Sequence, residues 1–228
     1  MGDIPVMDVI NRDDLERKLA RIVGRDLRAE LSRLLDYLGD PPRLENVPSD
    51  YWNSGWRTIQ KDVEPVLLDI YLSQAEGLMN EVGIGVNWDQ INATASQWAK
   101  QHTERVLMDL FGKRYNHLNE VIPRFYNEGW DLGQLQADLE KWYSPVRAEM
   151  IAVTETTRAA VEGERAMVAE LEAITNRRMA PIWQTMKDER VCPVCGPKNK
   201  KEITDGIFPP AHPRCRCFVN YEFEKAPA

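Results

Sequence analysis

All four cysteines of this 228-residue chain lie between residues 192 and 217. They occur in a Cys192-Pro193-Val194-Cys195 segment and in a second segment, His212-Pro213-Arg214-Cys215-Arg216-Cys217. Two thiolates separated by two residues can bind one metal ion from a tight turn, and a second ligand-bearing turn can complete a tetrahedron around zinc. The clustering therefore predicts a small cross-linked module in the C-terminal part of the chain.

Five donor side chains compete for the four positions of a tetrahedral zinc site. If Cys215 and Cys217 lay on an extended strand, their side chains would point to opposite faces, so that only one of them would bind. We favour Cys192, Cys195, His212 and Cys215 as ligands, with Cys217 as the rival fourth ligand. Zinc held by four protein ligands is structural, because no coordination position is left for water. The alternatives to zinc are disulfides or buried free thiols.

The same residues support a nuclease hypothesis. His212 would act as a general base in a metal-dependent nuclease of the HNH kind. Its partners are missing from the pattern, because His102 and His117 lie far upstream in predicted helices and no histidine follows His212. We therefore rank this hypothesis below a structural module.

A third hypothesis is a DNA-contacting connector. The formal net charge of −7 disfavours a protein that binds nucleic acid over its whole surface, since phosphate binding requires clustered cations. A local basic patch surrounds the cysteines. Its candidate phosphate contacts are Lys198, Lys200, Lys201, Arg214 and Arg216.

Apolar residues recur at helical spacing through the first 175 or so residues, with charged residues on the opposite faces. Gly39-Asp40-Pro41-Pro42 ends the first helix, Pro65 is expected to kink the second, and Ser144-Pro145 predicts the start of a long one. The predicted helices run over about residues 11–38, 50–83, 88–111, 113–127, 132–143 and 145–174.

The pattern changes after Asn176, where prolines divide the chain into short segments. Ile182–Met186 and Phe218–Phe223 are predicted strands, the second because apolar and polar residues alternate. The predicted fold class is mainly α, with a multi-helix N-terminal body. A small C-terminal α+β module with short strands, stabilised by zinc or by cysteines, completes it.

The sequence carries no sign of membrane insertion or export. No uninterrupted apolar stretch approaches the roughly 20 residues that a transmembrane helix needs. The first residues lack the basic start and apolar run of a secretion signal. We expect the chain to be cytoplasmic when made, where close cysteine pairs hold metal more often than disulfides.

Three further groups of residues have plain structural explanations. Glu155 and Arg158, three apart on the long helix, are expected to form a solvated salt bridge. Asp188-Glu189-Arg190 is expected to hold a turn or to face water. Trp52 and Trp56 lie one helical turn apart and are expected in the core, with an interaction face as the alternative.

Several motifs follow one another in a distinctive order: the helical Ala148–Glu155, Ala159–Gly163, Trp183, Asp188-x-Arg190-x-Cys192-x-x-Cys195, and Pro209-Pro210-x-His212-Pro213-x-Cys215-Arg216-Cys217. Over about residues 129–223 this order resembles the phage head-morphogenesis family, the minor head proteins named after the F protein of phage Mu. The resemblance divides the chain into a helical N-terminal region, 1–128, and a head-morphogenesis domain, 129–228. That domain contains a long helix over about 145–175 and a Cys/His module over 179–223.

The resemblance implies a function in the virion rather than an enzymatic reaction. It implies a minor capsid protein in few copies at the portal vertex, needed for head assembly or for DNA packaging and ejection. The partners that it implies are the portal protein and/or the major capsid protein, first in the host cytoplasm and then in the virion. The basic residues of the module would be the contact with phage DNA.

Overall fold

The computed structural model describes residues 11–186 and 191–224, and five α-helices form most of this part of the chain. The helices are α1 (Arg12–Leu38), α2 (Tyr51–Val82), α3 (Trp88–Glu128), α4 (Leu132–Tyr143) and α5 (Pro145–Thr175). Two strands follow, β1 (Met179–Gln184) and β2 (Phe218–Phe223). The predicted fold class, mainly helical with a small C-terminal strand-containing module, is confirmed.

Side chains at the helix starts explain why α4 and α5 begin where they do. The Asp131 carboxylate accepts a hydrogen bond from the Gln134 amide, and the Gln134 side chain accepts one from the Asp131 amide. Ser144 accepts a hydrogen bond from the amide of Arg147, and Pro145 occupies the first position of α5, where no amide donor is needed. The expected start at Ser144-Pro145 is therefore confirmed.

Helix α3 differs from the prediction of two helices over 88–111 and 113–127. It is one helix of 41 residues that continues through Gly112. Its neighbour Phe111 is 3% exposed and Leu118 is 1% exposed, so the helix is buried on both sides of the glycine. Burial of these apolar side chains outweighs the weak helix propensity of one glycine.

Two apolar cores lie within the described part of the chain. The first joins α1, α2, α3, α4 and the N-terminal half of α5, and contains Leu27, Leu67 and Leu118. The second joins the C-terminal halves of α2 and α5 to both strands, and contains Leu171 and Trp183. Helix α5 contributes to both cores, so the C-terminal module packs directly on the helical body.

A close contact between α2 and α5 aligns these helices. A Cβ atom added at Gly163 would lie 2.2 Å from the backbone oxygen of Tyr71, which is far inside van der Waals contact. Only glycine permits this approach. Gly163 lies between the α5 residues that belong to the first core and most of those that belong to the second.

The two strands pair antiparallel, from Met179 opposite Phe223 to Gln184 opposite Phe218. The predicted bounds of β2 are confirmed, whereas β1 begins and ends earlier than the predicted Ile182–Met186. Pairing with β2 fixes these bounds, because the ladder ends at Gln184 and the Thr185 amide donates to the side chain of Asn199 instead. None of the helices in the described part of the chain is long and apolar enough to cross a bilayer.

Candidate metal centre

The donor residues lie on two tight turns. In the first turn the amides of Cys195 and Gly196 donate to the carbonyl oxygen of Cys192, at 3.1 and 2.9 Å, just before a short 3₁₀ helix. In the second the amide of Cys215 donates to the carbonyl oxygen of His212 at 3.2 Å, shortly before β2. Each turn directs its donor side chains towards the other.

The five predicted ligands converge on one small region. The Nε2 atom of His212 lies 3.0 Å from the sulfur of Cys192 and 3.2 Å from that of Cys195. The sulfurs of Cys195 and Cys215 are 3.8 Å apart. Two groups result, Cys192 with Cys195 and His212, and Cys195 with Cys215 and Cys217, and within each group the donor atoms lie within 4.8 Å of one another.

The donor set fits a zinc ion. Sulfur ligands at about 2.3 Å in a tetrahedron lie roughly 3.8 Å apart, which equals the distance between Cys195 and Cys215. The two contacts of His212 are a few tenths of an ångström shorter than a shared ion would require, about 3.5 Å. All four cysteines are free thiols in this structure.

Hydrogen bonds and burial lower the pKa of some thiols in the cluster and raise the pKa of others. A hydrogen bond from the Cys217 thiol lowers the pKa of Cys215 to about 5. Burial raises the pKa of Cys195 to about 12, whereas Cys192 has a lowered pKa because hydrogen bonds from Cys195 outweigh its own desolvation. A hydrogen bond to the Pro213 carbonyl raises the pKa of His212. Since a metal binds thiolate and neutral imidazole, binding here would release protons.

The alternation argument for choosing between Cys215 and Cys217 does not apply. It assumed an extended strand through both residues, but β2 begins only at Phe218. Cys215 is 1% exposed and Cys217 is 6% exposed, and both sulfurs lie within 4.8 Å of that of Cys195. Both residues therefore remain candidates for the fourth ligand.

The second turn is fastened to the helical body beside the cluster. The Arg12 guanidinium donates to the Thr157 hydroxyl at 2.9 Å, and this hydroxyl donates to the carbonyl oxygen of Cys215 at 2.8 Å. The amide of Arg214 donates to the hydroxyl of Thr154 at 2.9 Å. Helix α5 thereby holds the backbone on which His212 and Cys215 lie.

Three of the five cations that the sequence suggested for DNA contacts take part in intramolecular contacts. Arg216, whose side chain is 12% exposed, pairs with Asp13 and Glu16 on α1. The other two are Arg214, which lies 3.4 Å from Glu149, and Lys198, which lies 3.2 Å from Asp205. Lys200 and Lys201 are exposed.

The structure does not assemble the nuclease arrangement around His212. In the described residues the donor clusters contain only this histidine. His102 and His117 lie elsewhere, 2.6 Å from Glu155 and 2.7 Å from Asp138. No pair of histidines is therefore available to hold a catalytic ion within the described residues.

Sequence reasoning missed a buried network between α3 and α5. Glu155 is 7% exposed and pairs with His102, whose ring stacks on Trp98 at 4.7 Å. The predicted pair with Arg158 exists at 3.6 Å, but Glu155 is not solvated as expected. A separation of 53 residues between His102 and Glu155 leaves no local spacing signal. The one local signal of this network in the sequence is the spacing of Trp98 and His102, which lie one helical turn apart.

Two remaining predictions concern the surface. Trp52 and Trp56 are half-buried against the first core, and both also line an open groove beside Met108 and Tyr115. They therefore combine the two expected roles of core residue and exposed face. Asp188-Glu189-Arg190 lies outside the described residues.

Comparison with known proteins agrees with the motifs. No curated protein and no solved structure matches the chain. The family described as Phage Mu protein F like protein matches residues 93–220, which is more than half of the chain and includes both ligand turns and the whole of α5. The match starts further upstream than the motifs, which began near Gly129. The chain belongs to the Phage Mu protein F-like family.

Proposed function

We propose that this protein is a minor head protein that acts in phage head morphogenesis, DNA packaging or ejection at the portal vertex. The observation that carries the proposal is the family match over residues 93–220, which spans the metal centre and the helix that supports it. Proteins of this family are generally structural components of phage heads, so membership implies capsid partners and a place in the virion. The portal protein is the partner that we propose, with the major capsid protein as a second one.

We further propose that zinc closes the C-terminal module. Cys192, Cys195 and His212 supply three ligands, and Cys215 or Cys217 supplies the fourth. The ion would be structural, because four protein ligands leave no position for a substrate or for water. It would fix the two ligand turns to each other, and the contact from Thr157 to Cys215 would then fix both to α5.

The role of the ion is to replace apolar burial that the module lacks. About 45 proline-rich residues bury too little apolar surface to fold firmly alone. Docking on the second core supplies part of the stability, and a cross-link supplies the rest. A module held rigid in this way presents a fixed surface to a partner. This suits a protein that assembles with others better than one that catalyses a reaction. We propose no enzymatic activity.

The first test measures metal and partner together. Elemental analysis of the purified protein is expected to find about one zinc per chain, and Cys192→Ser is expected to lose it. Val194→Ser is the matched control, since Val194 lies in the same turn and is 60% exposed. A Cys192→Ser protein that keeps its zinc and its protease resistance would contradict the structural role.

The second test asks for the partner. The portal protein encoded in the same phage is expected to be captured by the wild-type protein and by Val194→Ser. Failure of the wild-type protein to capture it, or to enter assembled heads, would overturn the proposed function. Binding to duplex DNA that weakens steeply with salt and is lost in Lys200→Gln/Lys201→Gln would instead favour the DNA-contacting connector.

A further inference from the structure

A groove of about 630 Å³ lies between α3 and α5, outside the metal centre. The two helices run in opposite directions here, since His102 lies opposite Glu155 and Asp109 acts on Arg147. The groove follows α3 from residue 102 to residue 113, roughly 16 Å along the helix axis. Pro213 of the C-terminal module also lines it.

The floor and the rim of this groove differ in character. Val106, Leu110 and Ile151 make the floor apolar, and four cations line the groove. The cations are Arg105, Lys113, Arg147 and Arg158. Two carboxylates, Asp109 and Glu155, also line the groove, so its lining is net positive on a chain whose formal net charge is −7.

The carboxylates of the groove do not neutralise all of these cations. Asp109 accepts a hydrogen bond from Lys113 at 2.6 Å, and Glu155 is bonded to His102 at 2.6 Å. Arg158 also pairs with Glu155, at 3.6 Å, and among the described residues Arg105 contacts the His102 ring instead of a carboxylate. Four cations thus face two carboxylates, so the lining of the groove is net positive, and Arg147 and Arg158 contribute to that charge from α5.

Both arginines carry a buried donor that makes no full hydrogen bond. The Nε atoms of Arg147 and Arg158 are buried and no acceptor among the described residues hydrogen-bonds to either, although the Nε atom of Arg158 lies 3.6 Å from the Glu155 carboxylate. A buried donor without an acceptor costs free energy, and a charged one costs more. Burial and the nearby charge of Arg114 also lower the pKa of Arg147. A bound anion would compensate both penalties.

We propose that this groove docks an acidic amphipathic segment of a partner protein, whose carboxylates pair with Arg147 and Arg158 while its apolar side chains cover Val106, Leu110 and Ile151. Guanidinium groups bind carboxylates through paired hydrogen bonds, and a groove between two helices accepts the apolar face of a third helix. A DNA duplex offers phosphates but no apolar face, so the floor favours a peptide. The length of the groove corresponds to about three helical turns.

This inference deepens the proposed function and rests on it only for the source of the segment, a component of the phage head. Pro213 links the groove to the C-terminal module, because it lies in the turn that carries the candidate ligands His212 and Cys215 and also lines the groove. A partner segment in the groove would therefore contact both the helical body and the module.

The test uses the full chain and a fluorescent synthetic helix with leucine on one face and glutamate along its edges. Anisotropy titration is expected to show binding by the wild-type protein. Arg147→Gln/Arg158→Gln should weaken binding about tenfold or more, because two charge-assisted hydrogen-bonding groups are lost. The matched control is Arg17→Gln/Arg124→Gln, which removes the same charge at side chains 65% and 52% exposed, with an expected change below about twofold.

The first three results that would overturn the proposal come from the titrations. They are absence of binding by the wild-type protein, equal weakening in both double variants, and equal binding of a peptide with lysine in place of glutamate. Displacement of the peptide by duplex DNA would also overturn it, in favour of a phosphate site. If the groove double variant does not fold, Arg158→Gln alone is compared with Arg17→Gln, and an equal effect of the two overturns the proposal.

Portal capture separates this inference from the proposed function. Capture that Arg147→Gln/Arg158→Gln retains in full would remove the groove from the portal contact while leaving the head role intact. Loss of capture by the groove variant alone, with the control unaffected, would support both proposals. Failure of the wild-type protein in capture concerns the head role alone, because peptide binding is measured without any phage component.

Discussion

The helical body and the C-terminal module reach a fixed structure by different means. The body buries long rows of leucines, such as Leu19, Leu27 and Leu34, which are at most 1% exposed. The module has two strands of six residues each and places three buried cysteines where a larger domain would place apolar side chains. The difference shows that the length of the segments determines how a region is stabilised, since short segments rich in proline cannot bury enough apolar surface.

The largest expected effect is a loss of structure in the C-terminal module that leaves the helical body folded. Cys195→Ser removes the residue that belongs to both donor groups. Because a structural zinc site supplies much of the folding free energy of a small module, hydrogen exchange in β1 and β2 should approach that of an unfolded segment. Exchange in α1 to α4 should stay slow. If the strands stayed as protected from exchange as they are in Val194→Ser, the module would not depend on the metal centre, and the contrast with the helical body would be wrong.

The next largest effect belongs to the body. Arg114 and Glu30, 3% and 0% exposed, form an ion pair at 2.7 Å inside the first core. Arg114→Met leaves the Glu30 carboxylate buried without its partner and should lower the free energy of unfolding by about 3–5 kcal/mol in urea titrations. Arg114→Met/Glu30→Met should recover most of the loss. A double variant as unstable as the single one would show that packing, not charge, matters at this position.

An intermediate effect is expected where the two regions meet. Gly163→Ala places a methyl group against the backbone oxygen of Tyr71 and should cost about 1–3 kcal/mol in thermal or urea unfolding. Gly112→Ala is the control, since no atom lies within 4 Å of the added Cβ and helix propensity should give a gain of up to about 1 kcal/mol. Equal effects at both glycines would mean that the α2–α5 contact does not join the cores.

The smallest effect concerns the ion pairs that Arg216 of the module forms with Asp13 and Glu16 of α1. Burial raises the pKa of Glu16 in the folded protein, and Arg216 and Arg12 oppose that rise. Arg216→Gln therefore raises the pKa further and should cost about 1 kcal/mol at pH values well above that pKa, where Glu16 is ionised. The cost should fade as the pH drops through the raised pKa and Glu16 becomes protonated. A cost independent of pH would assign the effect to packing.

The sequence predicted the helical body well where local signals were strong. The amphipathic spacing of residues 11–38 matches α1, and Ser144-Pro145 marks the start of α5 as expected. Gly112 misled the prediction because a single glycine lowers helix propensity only slightly, and packing of α3 decided the outcome. The position of β1 was missed because its register depends on β2, more than 30 residues later.

The candidate site was predicted in composition and not in geometry. Spacing singled out the five residues whose potential donor atoms the structure brings together, since metal-binding turns are local. It could not show that Cys215 and Cys217 both reach Cys195, because that depends on where β2 begins. The groove between α3 and α5 was not predictable either. His102 and Glu155 meet only through helix packing, and each looks ordinary within its own helix.

Helix α5 has a mechanical consequence. It spans 31 residues, roughly 46 Å, and is anchored in the first core at one end and in the second core at the other. A pulling force on the strands would thus pass along a continuous rod into the leucine-rich bundle instead of stretching a flexible joint. Such a rod would let the small C-terminal module bear load without separating from the helical body.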